Sequence, residues 1–179
     1  SLSALDALYL HGNPLASLPT GIFDPLTALS TLHLYEAGLT ELRPGLFRSL
    51  TRLQRLELHT NRLATLPRGL FEPLTALTLL RLQNNALTSL PVGVFAALTA
   101  LQSLYLHGNA LMDQNATELA AIVTATPATT LLHDCIAEYS EWSGACANLC
   151  DSTASRSRCA ACSGSPASSA RKASTVSGR

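Results

Sequence analysis

The side chains with the widest chemical range in this chain recur at one spacing. Tyr9, His33, Glu57, Arg81 and Tyr105 stand 24 residues apart, and so do His11, Tyr35, His59, Gln83 and His107. Ala7, Thr31, Arg55, Leu79 and Ser103 form a third row with the same interval. Together the rows hold four of the five histidines and three of the four tyrosines. Imidazole and carboxylate can move protons or ligate metals. Tyrosine and arginine most often carry binding energy at protein interfaces.

Proton transfer and nucleophilic chemistry need a nucleophile, a base and an orienting partner converging in a pocket. Rows on open strands supply lines of side chains without convergence. The phosphate-cradling patterns GxGxxG and GxxxxGK[ST] are absent. No catalytic residue and no enzymatic activity are expected. Zinc is the next test. His11, His33 and His59 zigzag across three neighbouring strands, but His11 and His59 then lie about 10 Å apart at strand spacing. Tetrahedral zinc needs bonds of about 2.0–2.1 Å, and no carboxylate pattern supports these histidines. Neither a metal nor a cofactor is expected.

Recognition is what remains. Tyr9, His11, His33, Tyr35, Arg55, Glu57, His59, Arg81, Gln83, Tyr105 and His107 form the expected ligand-binding face. Its centre is His33, Tyr35, Glu57, His59, Arg81 and Tyr105. Tyrosine gives rigid contact area with a polar handle. A blander account also exists. LYLHGN occurs at both 8–13 and 104–109, so repeat copying explains part of the enrichment. Glu57 and Arg81 could equally be a solvated cross-strand pair, contributing well under about 1 kcal/mol. If a ligand buries several of the histidines, affinity should change between about pH 5 and 7.5.

The elements that position these rows are set by leucine. Leu77, Leu80, Leu82, Asn85 and Leu87 give LxxLxLxxNxL, and Leu90-Pro91-Val92-Gly93-Val94-Phe95 with Leu98 gives a returning half. The LxL piece alternates inward and outward, as a strand does. One copy cannot bury its own leucines, so copies must stack. The first leucine recurs at Leu5, Leu29, Leu53, Leu77 and Leu101, and Phe23, Phe47, Phe71 and Phe95 keep the same interval. The result is an α/β-type solenoid over residues 1–111, with a parallel concave β-sheet and an irregular or short helical convex side. An asparagine should tie each turn to its neighbours. The second copy departs from this, with Ala37-Gly38 in the asparagine region and Arg43-Pro44 in place of Leu-Pro-x. A local weakness in the asparagine ladder is expected there.

The fifth copy starts with Leu101, Leu104, Leu106, Asn109 and Leu111, then loses its returning half. Residues 112–134 replace it and should cap the last coil. Within them ATELAAIVTA presents Leu119, Ile122 and Val123 on one helical face, with Asn115 or Thr117 as N-cap and Pro127 as stop. Asn115-Ala116-Thr117 is an N-glycosylation triplet. All five cysteines (Cys135, Cys146, Cys150, Cys159 and Cys162) then fall within residues 135–162. Such density points to disulfides and an extracellular setting. The odd count leaves one thiol free, or paired beyond this chain. Residues 163–179 are Ser-rich with little apolar bulk and are expected to be disordered.

The repeat resembles the typical 24-residue class of extracellular leucine-rich repeats. The segments Leu66-Pro67-Arg68-Gly69-Leu70-Phe71 and Leu90-Pro91-Val92-Gly93-Val94-Phe95 carry the likeness, with counterparts from Leu18 and Leu42. They look most like variable lymphocyte receptors, then Toll-like receptors and Slit-type proteins. The Asn-Pro-Trp-Asp-Cys run of the lymphocyte-receptor cap does not occur. This resemblance implies a curved solenoid, secreted or membrane-tethered, that binds protein or glycan on its concave face. The Cys segment resembles the start of a thrombospondin type 1 repeat. Asp134-Cys135 matches its opening, Tyr139 and Trp142 its first two tryptophan positions, and Cys146 and Cys150 its C-x3-C. Arg156 and Arg158 would then stack between the rings. The spacing departs by one residue on each side of the C-x3-C, and no GGG follows.

Whole-chain properties exclude other classes. Formal net charge is zero, which argues against nucleic acid as a partner through bulk charge. No apolar run approaches the ~18 residues of a membrane span. With neither an initiator Met nor a signal peptide, the chain is expected to be a piece of a longer protein, with repeats or a cap upstream. Two alternatives remain open. In one, the repeats are a structural or adhesive spacer and the Cys-rich segment carries the binding. In the other, an intracellular repeat protein holds a metal on a reduced tail, although Cys159-Ala-Ala-Cys162 lacks partners at zinc spacing.

Overall fold

The computed structural model describes residues 2–111 and the backbone of residues 130–132. After a 3-10 turn at Leu2–Ala4, five strands follow at the leucine period: β1 (Ala7–Tyr9), β2 (Thr31–His33), β3 (Arg55–Glu57), β4 (Leu79–Arg81) and β5 (Ser103–Tyr105). A sixth, β6 (Thr130–Leu132), completes a parallel sheet in sequence order. The register is 24 residues from β1 to β5, so Tyr9, His33, Glu57, Arg81 and Tyr105 are lateral partners. β6 pairs Thr130 with Ser103, which adds a strand inside the segment read from sequence as a cap. The helix expected in that segment, the glycosylation triplet, all five cysteines, the thrombospondin-like matches and the Ser-rich tail lie outside the described residues.

Pairing continues past each strand. Leu58 N–H donates to Arg81 O at 2.9 Å and Thr60 N–H to Gln83 O at 3.0 Å, and equivalent bonds join the other coils. The row of His11, Tyr35, His59, Gln83 and His107 is therefore held in lateral register as well. The residue that follows it turns left-handed in every copy: Gly12, Glu36, Thr60, Asn84 and Gly108 all have φ between 54° and 70°. At Gly108 the glycine is required twice over, because a Cβ there would run into the Asn84 amide.

The inward leucines form one continuous core. Leu32, Leu56, Leu80 and Leu104 are fully buried, as are Leu34, Leu58 and Leu82. On the convex side the chain returns through successive turns. In the third copy Leu70 N–H donates to Pro67 O, Glu72 to Gly69 O, Leu74 to Phe71 O and Leu77 to Leu74 O. The other copies repeat this pattern, so the convex side is built of turns between residues 18 and 101. Phe23, Phe47, Phe71 and Phe95 stack inside it with ring centroids 5.9–6.4 Å apart. Burying an aromatic ring of this size removes 150–250 Å² from water, which welds consecutive coils together.

The asparagine ladder runs through the turns. Asn85 accepts from Leu63 N–H and donates to Leu58 O and Leu82 O; Asn109 repeats this one coil on. At Ala37 the ladder is rerouted. Leu15 N–H, whose counterparts donate to an asparagine side chain, donates instead to the Ala37 carbonyl. Ala16, whose N–H also reaches the Ala37 carbonyl at 3.4 Å, has φ 58° on that path. Asn61 closes the other side of the gap, accepting from both Ala37 N–H and Leu39 N–H.

Candidate functional site

The concave face takes its character from strand spacing. Adjacent strands about 4.8 Å apart place ring side chains in contact with their row neighbours. His11, Tyr35 and His59 stack in series, with centroids 4.4 and 4.5 Å apart and planes within 16°. Tyr9 meets His33 edge to face at 4.8 Å. His33 also lies 5.8 Å from Tyr35 and 6.0 Å from His11. Five predicted residues thus form a single aromatic cluster over β1, β2 and β3.

Glu57 is the charged centre of the face, and it is only 6% exposed. This differs from a solvated cross-strand pair: the rings and Arg81 close over the carboxylate. Its Oε1 lies 3.5 Å from His33 Nε2, and its Oε2 lies 3.8 Å from His59 Nδ1 and 3.6 Å from Arg81 Nη1. These distances exceed ordinary hydrogen bonds; the Arg81 contact is coulombic, and the two imidazoles join it as ion pairs only when protonated. Burial pushes the His33 and His59 imidazoles below their ordinary pKa, and the Glu57 carboxylate pulls both the other way. Desolvation wins because the charged imidazolium loses more hydration than one neighbouring carboxylate returns. Both rings are therefore held toward the neutral form.

Arg81 reaches a second cluster. Its guanidinium lies 5.2 Å from the centre of the Tyr105 ring, within cation–π range. Tyr105 in turn meets His107 edge to face at 6.4 Å. Gln83 lies between His59 and His107 in the row that begins with His11, and is largely buried. Tyr9 and Tyr105 stand at opposite ends, four strand intervals or about 19 Å apart. The structure thus joins the predicted residues into two groups through Arg81, while Arg55 makes no ion pair among the described residues and lies beside Tyr9 and His33 of the first group.

Four buried side-chain polar atoms have no hydrogen-bond partner among the described residues: His33 Nε2, His59 Nδ1, Arg81 Nε and Gln83 Oε1. All four belong to the concave face. The three histidines that zigzag across the sheet are interrupted by the Tyr35 ring, and among the described residues no three His, Cys, Asp or Glu side chains come together as a metal site. Sequence reasoning passed over one feature. Gln54 and Thr78, which precede β3 and β4, join Tyr9, Thr31, His33 and Arg55 around a cavity of about 290 Å³. The signal was the row one residue ahead of each strand.

A sequence profile described as "Leucine rich repeat" matches residues 3–63 and again residues 51–111. Among solved structures the chain is similar to the leucine-rich repeat domain of APL1B, with 26% identity and a TM-score of 0.65 over 75% of this chain and 38% of that one. It is also similar to a chain of the Toll–Spatzle complex, a molecular hub in Drosophila development and innate immunity. There the identity is 30% and the TM-score 0.54, over 59% of this chain and 14% of that one. The chain therefore spans less than half the length of either structure. No curated protein matches the sequence.

Proposed function

The chain belongs to the leucine-rich repeat family, and on that premise we propose that it is an extracellular recognition module binding a protein or glycan ligand on its concave face. Repeat solenoids serve in general as scaffolds whose extended concave surface makes interactions. One observation carries the reading for this chain: every buried polar side-chain atom without a partner among the described residues is on that face. Leaving such a group unsatisfied costs about 1–3 kcal/mol. A surface kept at that cost is arranged for something other than stability. The stacked tyrosines and histidines add rigid contact area. The likeness to a chain of the Toll–Spatzle complex supports a protein ligand. The extracellular setting rests on the cysteine-dense segment after residue 134.

The mechanism is shape and polar complementarity on a rigid frame, without bond chemistry. A ligand donor reaching Glu57, or an acceptor reaching Arg81 and His59, would replace long coulombic contacts with short charge-assisted hydrogen bonds. The test is capture by the full chain from an array of secreted proteins, cell-surface proteins and glycans. Changing His33, Glu57 and Arg81 together to Ala should abolish capture while circular dichroism stays that of the parent. Capture that survives this change, but is lost when residues 135–162 are deleted, would instead assign binding to the Cys-rich segment.

A further inference from the structure

The concave face carries two arginines, and the fold uses only one. Arg81 is committed to Glu57 and to the Tyr105 ring. Arg55 is exposed, and among the described residues it makes no ion pair. It lines the cavity of about 290 Å³ with Tyr9, Thr31, His33, Gln54 and Thr78. That lining holds one fixed positive charge and no carboxylate. Glu57, on the same strand, is buried against His33, His59 and Arg81. Around the guanidinium stand two aliphatic hydroxyls, a phenol, an amide and an imidazole. Tyr9 is 56% exposed, so much of its side chain is open to a ligand.

We propose that this cavity is a subsite for a carboxylated sugar, with Arg55 pairing the carboxylate and Tyr9 covering the C–H face of the sugar ring. The proposal rests on the concave-face reading and gives it a ligand class. Charge sets the first requirement: an open guanidinium fork matches a carboxylate in two parallel hydrogen bonds. The rest of the lining decides what carries that carboxylate. An acidic side chain itself brings only methylenes to Thr31, Gln54 and His33, so a peptide could match their polar groups only through its backbone amides. A sugar brings hydroxyls that donate and accept at each of them. Size agrees, since small-ligand pockets run from about 300 Å³ upward and this one is at the single-ring end of that range.

The experiment titrates the full chain by calorimetry with methyl glucuronide, the methyl glycoside of N-acetylneuraminic acid, methyl glucoside and N-acetylglutamate amide. One of the two carboxylated sugars should bind at least tenfold more tightly than the neutral glucoside and the glutamate derivative. Arg55→Gln should reduce that affinity at least tenfold. Arg52→Gln, an exposed change outside the cavity, should leave it unaltered. Equal binding of the glucoside, no effect of Arg55→Gln, or no binding of either acidic sugar overturns the proposal. N-acetylglutamate amide binding as tightly as the acidic sugars overturns it in favour of an acidic peptide. A ligand from the array that is lost with the triple alanine change yet indifferent to Arg55→Gln would leave the concave-face reading standing and remove only this subsite.

Discussion

Asn61→Ala should be far more damaging than the equivalent change one coil later. The Asn61 side chain accepts from Ala37 N–H and Leu39 N–H, both at 3.0 Å, and donates to Leu34 O at 2.8 Å, Leu58 O at 2.9 Å and His59 O at 3.3 Å. After truncation, Leu58 O keeps Asn85 and His59 O keeps Glu36 N–H. Ala37 N–H, Leu39 N–H and Leu34 O are left unpaired, and all three belong to residues with no solvent exposure. Asn85→Ala strands only Leu63 N–H, because Leu58 O retains Asn61 and Leu82 O retains Asn109. Each buried unsatisfied group costs about 1–3 kcal/mol. The expected losses are thus about 3–9 kcal/mol for Asn61→Ala and about 1–3 kcal/mol for Asn85→Ala. The difference comes from Ala37: with no asparagine there, the second coil depends wholly on Asn61. Urea unfolding of both variants, followed by circular dichroism and by tyrosine fluorescence, measures the loss at an unchanged m-value. Equal losses, or a larger one for Asn85→Ala, would refute the reasoning. The result also bears on function, since Asn61 closes the strand that presents Glu57 and His59.

Two further outcomes follow from the backbone and from the buried histidines. Thr60 is exposed and β-branched, yet sits at φ 55°; Thr60→Asn should stabilise by about 1 kcal/mol, since asparagine tolerates the left-handed region, and an unchanged urea midpoint would contradict this. His33 and His59 have folded pKa values below the ordinary 6.5, so the unfolded chain takes up protons first as pH falls. Their contribution to stability is complete above about pH 6.5 and is lost progressively below it, until the lower folded values are passed. Unfolding midpoints that decline from pH 7.5 to 5.5 in the parent, and decline less in the His33→Gln, His59→Gln double variant, would bear this out; a flat parent profile would not. Glu57→Gln removes the charge opposing burial and should extend the decline to lower pH.

Periodicity made much of this protein legible without coordinates. Strand positions, their 24-residue register and the membership of each concave row follow from leucines that one copy cannot bury alone. Because the strand alternates with period two, knowing which leucines face in settles which residues face out. Ala37 was legible as a break in the ladder for the same reason. The left-handed position after each concave strand was hidden, because Gly12, Glu36, Thr60, Asn84 and Gly108 share a conformation but not one residue type. β6 escaped notice because Thr130–Leu132 stands outside the leucine interval, 27 residues after its partner strand.

Tertiary structure alone decided how the concave residues divide their labour. By its row alone Glu57 could be a solvated charge; instead lateral packing brings His33 and Arg81 against it from the neighbouring strands, and His59 reaches it from its own coil. Arg55 and Arg81 are the same residue type on neighbouring strands, yet one is bound to a carboxylate and a ring while the other stands open over a cavity. A repeat period specifies where each backbone position recurs. Which of several side chains within reach satisfies a given charge depends on their lengths, rotamers and competition for the same few ångströms, and that competition is resolved only when the coils are stacked.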